Sequence, residues 1–364
     1  MMKSKIMVLL VLLMLAISLS ACAGRTNVDE PNSLPSVAPT PSERPDPYHL
    51  ELTFSNKYRE GEPLYEASVK FAEDVAEKTD GHIVINYESN CFYDCYEKSV
   101  LRACDGDNWI GLEKPSEISS ATEIPDILAV TGPMLCRSYE EYLQLMQSEL
   151  FEGIEQQLSS NNVHLLCSDL ISSFNQIFTH SQFSDINQLY FSTILSRTLD
   201  IETLPLKMLG FVPYPANFDR GVSIFYTEKI TGLDSNYAQV HSSQLAFDRI
   251  YCVIETNHSF DIDWLFMPED LYQSIPEKYR VQLDTCAADF STSFHQSRSE
   301  SDEAVIRALE DKGALFVSVD PELLAESARP IYEMLETEYG CSEDIYDSIL
   351  DCIRQYRLDN QPTK

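Results

Sequence analysis

Positive charge is scarce in this chain: 26 Lys and Arg stand against 58 Asp and Glu, a formal charge of −32 at pH 7. A surface that negative repels nucleic acid and anionic headgroups, which argues against both as partners. It says less about a small ligand, because screening over about 8–10 Å leaves binding to the groups that line a pocket. Enzyme motifs are missing as well. There is no Gly-x-Ser-x-Gly elbow, no His-Glu-x-x-His, no phosphate-cradling glycine loop and no dinucleotide fingerprint. Catalysis and a cofactor are therefore not expected. No pair of Cys-x-x-Cys motifs occurs and the seven histidines do not cluster with the cysteines, which leaves a metal site unsupported. Apart from Cys22 the cysteines are scattered. Cys91 is near enough in sequence to Cys95 or Cys104 for a bridge, whereas Cys167 and Cys252 lie in apolar runs and read as buried free thiols. No internal repeat is visible.

Long apolar runs are limited to one, Ile6 to Ile17, behind Lys3 and Lys5. It is too short for a membrane-spanning helix and has the make-up of a secretory signal. The run leads into Leu19-Ser20-Ala21-Cys22, which resembles a bacterial lipobox. That resemblance implies removal of residues 1–21 and a diacylglycerol on Cys22, so that the mature protein is extracytoplasmic and attached to the cell membrane through its lipid alone. Residues 22–47 then form a tether: six prolines between Pro31 and Pro47 sit among polar and acidic residues with almost nothing apolar to bury. In an extended polyproline conformation, at about 3.1 Å per residue, it reaches several tens of Å.

From Tyr48 to about Arg357 the chain has the length of two domains and alternates α and β signals. His49 to Phe54 reads as a strand, Leu64 to Lys78 as an amphipathic helix stopped at Gly81, and Ile83, Ile85 and Tyr87 as an alternating strand. A helix is expected over Tyr139 to Leu158, then strands at Val163 to Cys167, Phe174 to Phe178, Tyr190 to Leu195 and Arg249 to Glu255, with a helix near Ile201 to Leu209. After Pro276, the segment Glu277 to Asp311 has neither proline nor glycine. At 1.5 Å per residue that helix is about 50 Å long, enough to lie across both domains. Asp320 with Pro321 opens another helix running to Tyr339, and Ser342 is expected to open the last.

Four stretches in order resemble the DctP-like extracytoplasmic solute receptors of TRAP transporters. They are Lys70-Phe71-Ala72 through Thr79-Asp80-Gly81; Leu209-Gly210-Phe211-Val212-Pro213 through Phe218 to Gly232; Thr256-Asn257-His258; and Leu271 to Ala288 around Ile275-Pro276-Glu277. The resemblance covers most of 48–357. It implies a periplasmic-binding-protein-like α/β fold of two domains, 48–172 with 261–300 and 173–260 with 301–357. A solute would lie in the interdomain cleft, and membrane permease subunits would receive it.

Typical members hold a ligand carboxylate with two arginines. Here the matching positions are Asn175 and, by gap-free spacing, Leu195, while the family's asparagine falls at Ser235. Arg197, two residues beyond Leu195 and so on the same strand face, is a candidate replacement. Arg220 and Lys114 are further cationic candidates. Phe218 matches a family phenylalanine near the cleft, with Tyr214 close by. Together these residues imply a pocket for a neutral or weakly polar organic solute rather than a simple carboxylate, and one open to a cation. The competing expectation is a surface sensor or protein-interaction module that keeps the fold and has lost its ligand.

Overall fold

The computed structural model describes residues 47–60, 62–91, 96–196 and 200–360. The signal, Cys22, the tether, Cys95 and Arg197 lie outside them. In chain order the elements are β1 (Leu50–Ser55), α1 (Pro63–Lys78), β2 (Ile83–Glu88), α2 (Glu97–Cys104), β3 (Trp109–Glu113), α3 (Pro115–Thr122), α4 (Asp126–Val130), α5 (Tyr139–Met146), α6 (Glu149–Ser160), β4 (Val163–Phe174) and β5 (Gln176–Thr179). After a 3-10 turn at Ile186–Leu189 come β6 (Thr193–Ser196), α7 (Asp200–Met208), β7 (Val212–Pro215), α8 (Phe218–Tyr226), β8 (Gly232–Ser235), α9 (Tyr237–Ser242), α10 (Gln244–Phe247), β9 (Cys252–Glu255) and β10 (Phe260–Pro268). The chain closes with α11 (Glu269–Ser274), α12 (Glu277–Asp311), β11 (Leu315–Ser318), α13 (Pro321–Tyr339) and α14 (Ile345–Asp359).

The strands form two sheets, β2-β1-β3-β10-β4 and β11-β9-β5-β8-β6-β7. In the first, β1 pairs in parallel with β2 and β3, whereas β10 runs antiparallel to β3 and β4. In the second, β5 runs antiparallel to β8 and β9, and the pairs β6/β7, β6/β8 and β9/β11 are parallel. The chain crosses between sheets at β4/β5 and again at β9/β10. A third link is α12, whose Leu283, Phe290 and Phe294 are buried with Phe54 of the first sheet and Phe71 of α1, while its Val305 and Leu309 are buried with the second sheet's Leu233 and Val253. A further core runs under both sheets and takes in α13 and α14.

Several expectations need correction. The helix over 139–158 is two helices, because Ser148 interrupts it and caps the second by accepting a hydrogen bond from the Phe151 N–H. The strand at Val163 continues to Phe174, since it must reach the second sheet. The last helix starts at Ile345, not Ser342. Ser342 instead donates from both its backbone N–H and its hydroxyl to the carboxylate of Asp126, at 2.6 Å each. Asp320 caps α13 as expected, accepting from the Glu322 N–H. Cys91 and Cys104 are free thiols, as are the buried Cys167 and Cys252.

Candidate functional site

Asn175 is the single residue between β4 and β5, and residues 256–259 join β9 to β10. The two crossings are stitched together by polar contacts. The Asn175 N–H donates to the Ser259 carbonyl at 2.8 Å and its amide Nδ2 donates to Ser259 Oγ at 2.9 Å. The Asn257 N–H donates to Gln176 Oε1, and the Gln176 amide returns a bond to Asn257 Oδ1. Arg137, at the turn before α5, donates to the carbonyls of Thr256 and Glu255 at 3.1 and 3.3 Å. Burial lowers its pKa. That guanidinium is engaged in holding backbone.

Thr256 Oγ1 and His258 Nδ1 lie 2.7 Å apart, against 3.5 Å from Thr256 Oγ1 to the Asn175 carbonyl. Thr256 Oγ1 donates to that carbonyl, the direction of the shorter bond depends on the imidazole tautomer, and the other ring nitrogen of His258 is Nε2. That nitrogen is 3.2 Å from Asp234 Oδ1, yet the two are out of line and neither forms a hydrogen bond. Asp234 lies near the end of β8, opposite Ile177 of β5.

Beside these crossings is a cavity of about 190 Å³. Asn175, Ser259, Phe260, Asp261 and Ile262 line it from the crossings and the start of β10. Lys114 and Pro115, at the N-terminus of α3, line it from the first sheet, with Leu128 and Gly132 around the end of α4; Asp234 and Pro205 of α7 come from the second. The walls therefore come from both sheets and from the links between them. Among the described residues lining it, Lys114 is the one cation, 3.6 Å from Asp261 Oδ1. Asn175 Oδ1 is buried with no hydrogen-bond partner.

Of the residues singled out in the sequence, Asn175 and Lys114 line this cavity. Leu195 does not: it is 2% exposed and packed in the core under α8. Side chains alternate along a strand, so Leu195 and Leu233 face α8, as does Tyr214, the partner of Leu195 on β7, while Ile194 faces the other way. Ser235 follows the same parity and donates its hydroxyl to Gln239 Oε1 of α9, away from the cavity. Tyr214 and Phe218 pack partly buried against that same core, and Arg220 is exposed. Asp234 and Ser259 escaped the sequence reading. The signal for Asp234 was parity, since an acid beside a core-facing Leu233 on a strand points to the opposite face.

The sequence from 54 to 338 matches the family model DctP, described as bacterial extracellular solute-binding protein, family 7. No curated relative matches. Among solved structures, a TRAP periplasmic solute binding protein from Desulfovibrio salexigens in complex with diglycerolphosphate is 23% identical, with 86% of this chain and 99% of that one covered and a TM-score of 0.68. An apo open TRAP protein from Rhodobacter sphaeroides is 17% identical over 84% and 99%, with a TM-score of 0.73. DctP7 of Bordetella pertussis, an extracytoplasmic solute receptor binding pyroglutamic acid, is 16% identical over 84% and 99%, with a TM-score of 0.62. Two sheets joined by two crossing strands and a long helix match the fold of these structures, and the family model spans most of the chain. This protein belongs to the DctP family of bacterial extracellular solute-binding proteins.

Proposed function

We propose that this chain is the lipid-anchored receptor of a TRAP-type transporter, taking a small organic solute into the cavity between its two sheets and delivering it to a membrane permease. The observation that carries this reading is the composition of the cavity wall: residues of both sheets and both crossings meet there, with Asn175 Oδ1 buried and unpartnered. A solute that fills the cavity contacts both halves at once, so binding and closure are one event. The relatives named above hold diglycerolphosphate and pyroglutamic acid. No arginine is among the described residues lining this cavity, so a simple carboxylate lacks its usual bidentate partner here. Cys22 supplies the lipid attachment, and residues 22–47 the reach from the membrane.

Ligand capture tests the reading. The purified full chain, exposed to a concentrated extract of nutrients and then denatured, should release a bound small molecule identifiable by mass spectrometry. Ser116 is exposed in the cavity wall. Ser116→Trp fills the space and should abolish retention, and deletion of the protein should abolish uptake of the same compound. Capture without any effect on uptake would make the protein a sensor. Cys22→Ser should move it from the membrane fraction to the soluble one.

A further inference from the structure

We propose that the solute carries a protonated amine, held by the carboxylate of Asp234. This deepens the reading of the cavity as the solute site and rests on it. Three ionised side chains line the cavity among the described residues: Asp234, Asp261 and Lys114. The ammonium of Lys114 lies 3.6 Å from Asp261, which answers one negative charge within the wall itself. Asp234 is left over. Its side chain is 4% exposed, and its Oδ1 forms no hydrogen bond because the nearby His258 Nε2 is out of line. A buried carboxylate oxygen without a donor is costly, and a ligand ammonium supplies both the donor and the opposite charge.

The surroundings favour the same class. Asn175 can turn either end of its amide to the ligand, since the Ser259 hydroxyl can donate to it or accept from it. Behind Lys114 and Asp261 the first sheet adds two more buried carboxylates, Glu113 and Asp263, around the single ammonium of Lys57 at 3.7 and 3.6 Å. Burial holds the proton on Glu113 up to about pH 7, so on that side the charges nearly cancel and the charge left over in the wall is that of Asp234. Leu128, Phe260 and Ile262 offer apolar surface for a carbon skeleton. A carboxylate would face Asp234 with no guanidinium to offset it. A polyol would donate hydrogen bonds but leave the buried charge without a counter-ion.

Calorimetric titration of the full chain at pH 7 decides this, using aliphatic amines of about four to seven carbons with their hydroxyl- and carboxylate-terminated counterparts. Amines should bind and their counterparts should not. Asp234→Asn should weaken the amine by about tenfold or more, the loss of one charge-assisted contact. Lys114→Gln, at a partly exposed position, should strengthen it severalfold by removing the competing cation, and it decides alone if Asp234→Asn fails to fold. Absence of amine binding at millimolar concentrations overturns the inference, as does an amine affinity unchanged in both variants. Preferential binding of the carboxylates overturns it too, and Ser116→Trp then separates the two readings. An acid lost in that variant keeps the cavity as the solute site, and an acid retained there removes the cavity as well.

Discussion

Glu113, the last residue of β3, has no solvent exposure, and burial pushes its carboxyl up to about 7 despite Lys57 beside it and the Tyr96 N–H donating to it at 2.9 Å. Asp263 and Glu117 raise it further. The unfolded chain releases this proton near pH 4, as an ordinary glutamate does, while the folded protein keeps it until about pH 7. Stability from this group is thus fully present below pH 4 and is lost as pH rises through 7. The expected loss is about 3 kcal/mol, at 1.36 kcal/mol per unit. Urea unfolding at pH 5 and pH 8 checks it: wild type should lose stability relative to Glu113→Gln across that range, and parallel curves would refute it. At this scale the sequence was only partly legible. Asn175, set at the place where the family resemblance implies an arginine, lines the cavity, whereas Leu195 and Ser235, placed by counting along strands, do not; there an offset of one residue turns a side chain to the other face.

Helix α8 lies so close to β6 that a Cβ on Gly221 would fall 2.2 Å from Leu195 Cδ1. A glycine inside a helix costs about 1 kcal/mol relative to alanine, and here the close approach accounts for it. Gly221→Ala should therefore destabilise, by about 1–3 kcal/mol, through overpacking. Leu195→Ala alone leaves a cavity, but the pair should lose less than the two single losses added, and denaturation of the double mutant measures the difference. Strict additivity would mean that the two do not touch. Elements with local punctuation were readable: Pro276 starts α12, which runs over Glu277–Asp311 as its freedom from proline and glycine implied, and Asp320 caps α13. Where a serine can cap or a strand must extend to meet another sheet, propensity did not decide. Ser148 divided one expected helix, and Ser342 was drawn to Asp126.

The whole molecule depends on what joins its halves. Between Phe294 and Val305 helix α12 buries no apolar side chain, and Arg298 and Asp302 pair across one turn at 3.2 Å. This stretch spans the gap between the two cores. Ser299→Pro, at an exposed position within it, should cost about 3 kcal/mol, whereas Ser299→Ala should cost nothing. Hydrogen exchange should then quicken around 295–304 while amides near Phe290 and Leu309 stay protected; a loss under about 1 kcal/mol would show that the spacer adds little. The two-lobed plan was visible in the alternation of elements and the length of this helix. The pairing of residues at the crossings was not, because those contacts join positions about 80 apart in sequence, such as Asn175 and Ser259.

Asn175 and Ser259 tie the crossings together and also line the cavity. If the cavity takes the solute as proposed, rotation of one sheet against the other and contact with the cargo would fall on the same set of atoms. On that reading selection for tighter grip and selection for easier opening would act on the same few positions, and a new cargo would be acquired more readily by changing walls such as Lys114 and Asp234 than by touching the hinge.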